Sequence, residues 1–144
     1  MLVSQILKSK ADETVVTAKP GTSVSEAAKM LAEKRIGTLV ISSDGVTPLG
    51  ILSERDIVRE LGNQGAEVLG QTVEKLMTTN LVTCKRDDLA DAILQTMTDG
   101  RFRHMPVVEN GTLVGLVTLG DVVKARLTEL AMEKNAREGM IMGH

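Results

Sequence analysis

Apolar positions along the chain come in short runs separated by polar and glycine-bearing breaks. Val24, Ala27, Ala28 and Leu31 fall at i, i+3, i+4 and i+7, the spacing of one helical face. Ser23 with Glu26 precedes that face as a capping box, in which each side chain satisfies a backbone N–H at the helix start. Val3 to Leu7 predicts a brief helix or turn, and Lys8 to Glu13 a polar loop. Val15-Val16-Thr17 predicts a short strand ended by Lys19-Pro20-Gly21, and Thr38 to Ile41 a second strand. Asp44-Gly45 is a hairpin turn signal, because both residues tolerate positive φ. Leu49 to Leu52 is then the return strand, Asp56 to Leu61 a helix, and Gly62 to Gln71, with three glycines, a linker.

The whole pattern is then written again. The face Val24, Ala27, Ala28, Leu31 becomes Ala90, Ile93, Leu94, Met97, offset by 66 at all four positions. Leu81-Val82-Thr83 follows Val15-Val16-Thr17 at the same offset, Met105-Pro106-Val107 follows Leu39-Val40-Ile41, and Asn110-Gly111 follows Asp44-Gly45. Val73, Leu76 and Met77 echo Val3, Ile6 and Leu7. After the hairpin the offset drops to 65, as Asp56 to Asp121 shows. Such constancy marks an internal duplication. The expected division is a first repeat over 1–62, a linker over 63–72, a second repeat over 73–128 and a helical tail over 129–144. Each repeat is an α+β unit with a small sheet and helices. One repeat of about 60 residues buries little by itself, so two related by pseudo-twofold symmetry are expected to share a core.

Composition narrows the function. Hydrophobic residues make up 42% of the 144, enough for a core. There is one Phe and no Trp or Tyr, so the core is aliphatic and the stacking platforms of single-strand binders are missing. A net charge of −2 with scattered Lys and Arg is a poor footprint for nucleic acid. The single cysteine, Cys84, excludes an internal disulfide and reads as a small apolar filler suited to a reducing cytoplasm. No signal-peptide pattern opens the chain, and no apolar run approaches the roughly 18 residues of a membrane span. The eight Met residues read as flexible core filler, and His144 at the chain end as disordered. No paired-carboxylate, metal-ligand or nucleophile–base arrangement supports catalysis.

The candidate chemistry sits in a stretch present in both repeats. Gly50-Ile51-Leu52-Ser53-Glu54-Arg55-Asp56 returns as Gly115-Leu116-Val117-Thr118-Leu119-Gly120-Asp121. A short apolar run ending in Ser/Thr-x-x-Asp reads as a strand passing directly into a helix N-terminus, where hydroxyl and free N–H groups suit a phosphate. Plain helix capping writes the same motif, and capping and binding need not exclude each other.

Two tandem units, with Ile-Gly-x-Leu-Val and His-x-Pro-Val-Val strands and the closing Gly-h-h-Ser/Thr-x-x-Asp (h apolar), resemble a CBS-domain pair, or Bateman module, over about residues 1–128. The resemblance implies a non-catalytic regulatory module that binds adenosine-containing ligands (AMP, ADP, ATP, NADH or S-adenosylmethionine) in clefts between the repeats. It implies an energy or redox sensor, a homodimer, and a regulated protein partner. It places ribose hydroxyls on Asp56 and Asp121, phosphate by Ser53 and Thr118, and the adenine ring against Ile51 and Leu116. It also implies composite sites: Thr17, Ile36 and Gly37 serving the Asp121 motif, and Thr83, Phe102, Arg103 and His104 serving the Asp56 motif. Because Arg101, Arg103 and His104 cluster in the second repeat, phosphate is expected to favour the Asp56 side. The competing class is a dimeric interaction scaffold whose nucleotide clefts are vestigial.

Overall fold

The computed structural model describes the backbone of residues 1–10 and 14–142, and side chains through residue 139. The elements are α1 (Val3–Ser9), β1 (Thr17–Ala18), α2 (Val24–Lys34), β2 (Thr38–Ile41), β3 (Gly50–Ser53) and α3 (Glu54–Gln64). Two 3-10 turns follow at Ala66–Gly70 and Val73–Lys75, then α4 (Ala90–Gly100), β4 (His104–Glu109), β5 (Thr112–Thr118) and α5 (Leu119–Met142). Residue contacts divide the α+β chain into two compact units. The Asp56 unit comprises Thr14–Val82 and Val108–Val114; the Asp121 unit comprises Met1–Glu13, Thr83–Val107 and Gly115–His144.

In the Asp56 unit, β1 pairs in parallel with β2, and β2 pairs antiparallel with β3 in the register Thr38↔Ser53 to Ile41↔Gly50. All four residues of β2 are buried, as befits a central strand covered on both faces. Leu39, Ile41 and Leu52 meet Val24, Ala27 and Leu31 of the predicted stripe, with Ile57, Val68, Val73 and Leu76 completing the core. In the Asp121 unit α4 and α1 both pack on α5. There Ala90, Ile93 and Met97 of the repeated stripe are buried, as are Val3, Ile6, Leu7, Met105 and Val122. Asn110 (φ 51) and Gly111 (φ 79) turn β4 into β5 with positive φ at both central residues, the twist a two-residue hairpin favours.

The opening segment of each repeat packs in the unit built mainly from the other. Val3 donates its N–H to the Asp88 carbonyl at 2.9 Å, and Ala90 donates back to Met1 at 2.9 Å. The matching bonds in the Asp56 unit run from Val73 to the Thr22 carbonyl at 2.9 Å and from Val24 to Gln71 at 2.8 Å. Each pair flanks an antiparallel bridge, Leu2↔Leu89 and Ser23↔Thr72, that pins the start of α4 or α2. Ser23 also caps α2, accepting from the Glu26 N–H at 3.1 Å.

Several local expectations are corrected. The first strand is Thr17–Ala18 rather than 15–17. Its counterpart, expected at Leu81–Thr83, is not a strand; the pairing shrinks to one bridge, Cys84↔Val107. Val40 donates its N–H to the Val16 carbonyl at 3.2 Å, whereas Pro106 at the equivalent position has no N–H to give. Only Gly45 of the Asp44-Gly45 pair takes positive φ. Asp44 works through its side chain, accepting from the Val46 and Thr47 N–H groups at 2.8 and 2.9 Å, and those two bonds are the main cause that holds its carboxyl below the usual range. The expected linker carries structure of its own: α3 runs to Gln64, Gly65 (φ 78) stops it, and the 3-10 turn behind it buries Val68 completely. The tail is no separate element, since α5 runs unbroken from the Asp121 junction to Met142. Cys84 and Met97 are buried as expected, although Met132 is exposed, and His144 lies outside the described residues.

If Val68 anchors the Asp56 unit, Val68→Ala lowers the unfolding free energy by about 2 kcal/mol. Urea denaturation reads this directly, and a midpoint equal to the parent's would show that Val68 does not anchor the unit.

Candidate functional site

Both repeated stretches form the expected strand-to-helix junction. At the first, Ser53 is the N-cap of α3, and its hydroxyl accepts from the Asp56 N–H at 3.2 Å. Asp56 Oδ2 in return accepts from the Ser53 N–H at 2.9 Å and the Ser53 hydroxyl at 3.0 Å. Its Oδ1 pairs with Arg59 at 3.1 Å, one turn along the helix. At the second, the Thr118 N–H donates to Asp121 Oδ2 at 2.9 Å, and the Asp121 N–H donates to the Thr118 hydroxyl at 3.1 Å. Each aspartate therefore closes a reciprocal capping box.

The residue just before β2 and the one just before β4 are drawn to the same place. Glu54 donates its N–H to the Gly37 carbonyl at 2.9 Å, and Leu119 donates to the Arg103 carbonyl at 2.8 Å. A surface cavity of about 460 Å³ in the Asp56 unit is bordered by Ala32, Arg35, Ile36, Gly37, Glu54 and Ile57. One of about 550 Å³ in the Asp121 unit is bordered by Gln5, Ser9, Lys10, Asp121, Lys124 and Thr128. Both volumes fall in the range of small-molecule sites.

Of the other expected residues, Thr17 is half-buried opposite Val40, and Ile51 exchanges backbone bonds of 3.0 and 2.8 Å with Thr78. These two, with Ile36, Gly37, Ser53 and Asp56, belong to the Asp56 unit. Thr83, Phe102, Arg103, His104, Leu116, Thr118 and Asp121 belong to the Asp121 unit. Thr83 and Arg103 are exposed, while His104 is half-buried at the head of β4. Phe102 is half-buried with its ring over Gly100, where any β-carbon would meet it. Arg35 (φ 54) and Arg101 (φ 57) take left-handed conformations that end α2 and α4. That gives Arg101 a backbone role that its reading as part of a charge cluster overlooked.

Sequence reasoning missed Lys10. Its ammonium lies 3.0 Å from Asp121 Oδ2 and 3.1 Å from the Leu116 carbonyl, with both side chains about three-quarters shielded. Nothing in the polar stretch around Lys10 signalled this; only the packing of α1 on α5 brings it there. Partial burial pushes the Asp121 carboxyl up, but the Thr118 N–H bond and the Lys10 ammonium outweigh it and hold the group below the usual aspartate value. Among the described residues no cluster of His, Cys, Asp and Glu could hold a metal ion, and no helix is long and apolar enough to cross a membrane.

The family model of the CBS domain matches residues 3–63 and again 73–128. The chain belongs to the CBS-domain family and carries a tandem pair of these domains. It is 44% identical to the CBS-domain containing protein ATU1752 from Agrobacterium tumefaciens, covering 88% of this chain and 99% of that one, with a TM-score of 0.83. It is 28% identical to the CBS domain pair of protein MJ0100 in complex with 5′-methylthioadenosine and S-adenosyl-L-methionine, covering 90% and 98%, with a TM-score of 0.78. Among sequences, it is 33% identical over 125 residues to CBSCBSPB2 of Arabidopsis thaliana, 86% of this chain but only 23% of that protein's length.

The Asp121 result fixes the sign of a pH effect. A carboxyl whose folded value is depressed stabilises above its unfolded value, and that contribution is lost as pH falls through the folded one. The stability advantage over Asp121→Asn is therefore constant above pH ~5 and shrinks as pH drops through ~3.9 and below. Urea titrations across this window check it; a difference that stays constant down to the acid limit would contradict it.

Proposed function

We propose that the chain is a regulatory module, without catalytic activity, that binds adenosine-containing ligands at the Ser53–Asp56 and Thr118–Asp121 junctions. The observation that carries the reading is the repeated placement of a carboxylate and a hydroxyl at a strand-to-helix turn; Asp121 itself lines a cavity of ligand size, whereas the cavity of the Asp56 unit is bordered by the neighbouring helix residues Glu54 and Ile57. An ionised Asp offers two acceptor oxygens to the adjacent 2′ and 3′ hydroxyls of a ribose, and hydrogen bonds to a charged group are worth roughly 1.5–3 kcal/mol. The relationship to MJ0100, described in complex with two adenosine derivatives, supports the same class of ligand. Within the proposal, Thr17, Ile36, Gly37, Thr83, Phe102, Arg103 and His104 are the further ligand-contacting residues. AMP, ADP, ATP and NADH are the proposed physiological set, and the cytoplasm the proposed compartment. Ligand acts on a regulated protein partner by favouring one arrangement of the chain over another.

A homodimer is part of the proposal. Val58 (68% exposed) on α3 and Leu127 (63%) on α5 present large apolar side chains to solvent, as helices awaiting a second copy would. One observation favours the scaffold reading instead: both aspartates are already engaged as helix caps, which leaves the motifs a complete structural role without ligand.

Thermal unfolding with AMP, ADP, ATP, NAD, NADH and S-adenosylmethionine separates the two. A bound ligand at 100 times its dissociation constant stabilises the chain by about 2.7 kcal/mol. Asp56→Ala and Asp121→Ala each lower the baseline by about 1 kcal/mol through the lost cap, so the ligand-induced increment is compared with each variant's own baseline. Loss of that increment in one variant supports the sensor. No increment with any ligand, together with a dimer by sedimentation, is the scaffold's result, and a monomer removes the dimer from both.

A further inference from the structure

Lys10 and Lys124 make the Asp121 cavity unlike the other. Its charged side chains are two ammonium groups against one carboxylate, with Gln5, Ser9 and Thr128 as neutral polar lining. Oδ2 of Asp121 holds both the Thr118 N–H and the Lys10 ammonium. The Thr118 N–H is fixed at the end of β5, whereas Lys10 is a flexible stem on the polar segment after α1. A ribose diol that docks on Asp121 therefore competes with Lys10 rather than with the backbone. Once displaced, Lys10 is a partly shielded ammonium in need of an anion, and Lys124 lines the same space.

We propose that Lys10 is a placeholder counter-ion that makes the Asp121 site selective for anionic adenosine ligands, nucleoside phosphates, over neutral or cationic ones such as thioether and sulfonium adenosines. This rests on the adenosine-binding reading above and deepens it. A 5′-phosphate gives the displaced ammonium a charge-assisted partner and places the anion near Lys124. A 5′-thioether leaves the displaced Lys10 without an anion, and a sulfonium adds a further positive charge to the cavity. The ligand set of MJ0100, 5′-methylthioadenosine and S-adenosyl-L-methionine, is thus the set that this site disfavours. Charge clustering in the sequence pointed to the Asp56 side for phosphate; the Lys10 contact gives the Asp121 side its own anion site.

Calorimetric titration of Asp56→Ala chains, which isolates the Asp121 site, tests this with AMP and 5′-methylthioadenosine, identical except at the 5′ position. With Lys10 present AMP binds at least about tenfold more tightly, the worth of one charge-assisted hydrogen bond. Lys10→Met brings the two affinities together, and Lys10→Arg keeps them apart. An unchanged ratio in Lys10→Met, or tighter 5′-methylthioadenosine binding with Lys10 intact, overturns the placeholder while leaving adenosine binding in place. No binding of either compound overturns the adenosine reading and this inference with it. Should Lys10→Met fail to fold, salt decides: AMP affinity in the Lys10 chain falls with ionic strength while that of 5′-methylthioadenosine holds, and parallel behaviour overturns the inference.

Discussion

Two glycines let the two halves of the duplication lean on borrowed segments. At Gly115 the Leu7 methyl carbons lie 2.8 and 2.9 Å from where a β-carbon would stand; at Gly50 Met77 Sδ lies 2.6 Å and Cγ 2.9 Å from the same point. Real β-carbons do not tolerate such approaches, so a side chain at either position would force the Leu7 or Met77 side chain to shift. Leu7 and Met77 are equivalent residues of the two opening segments, and Gly50 and Gly115 are equivalent residues of the two closing stretches. The same opening segments make the reciprocal backbone bonds that pin α2 and α4. Gly50 also begins β3, which leads to Ser53, and Gly115 lies in β5, which leads to Thr118. Each contact thus joins an opening segment to the strand that carries the site residues.

From that platform the junctions follow by local chemistry. A strand ending in Ser or Thr presents its hydroxyl to the free N–H groups of the helix, and the aspartate three residues on returns the bond. The two junctions differ in what takes the remaining charge. Asp56 is paired with Arg59 of its own helix, whose side chain is 57% exposed, so that pair is worth little. Asp121 is paired with Lys10, distant in sequence and shielded. One duplicated motif has acquired a solvated partner on one side and a tertiary partner on the other, an asymmetry on which the two sites can diverge in ligand preference.

Legibility in the sequence followed how local each interaction is. The helical stripes, β2, the Asn110-Gly111 turn and both Ser/Thr-x-x-Asp junctions were readable because their causes lie within a few residues, and the constant offset made each reading support its copy. The exchange of opening segments was not, since a contact between Leu7 and Gly115 leaves no periodicity. Pro106 was visible but read as part of a matching strand; its consequence, the lost partner for the strand before it, appears only when Val40 is seen donating to Val16. Val68 was hidden among three glycines that suggested a linker. Lys10 stood in a stretch where any lysine reads as solvated, and only the seating of α1 against α5 gives it a role.

The central claim is that the two aspartate junctions bind adenosine ligands, and equilibrium dialysis against AMP reads it most directly. With one Phe and no Trp or Tyr the chain is nearly transparent where adenine absorbs, so retained ligand is measured against almost no background. The account predicts excess adenine absorbance on the protein side, lost when Asp56 and Asp121 are both replaced by Asn in a chain that remains folded. Equal absorbance in both chambers with the unsubstituted chain, or an excess untouched by the double replacement, would contradict it.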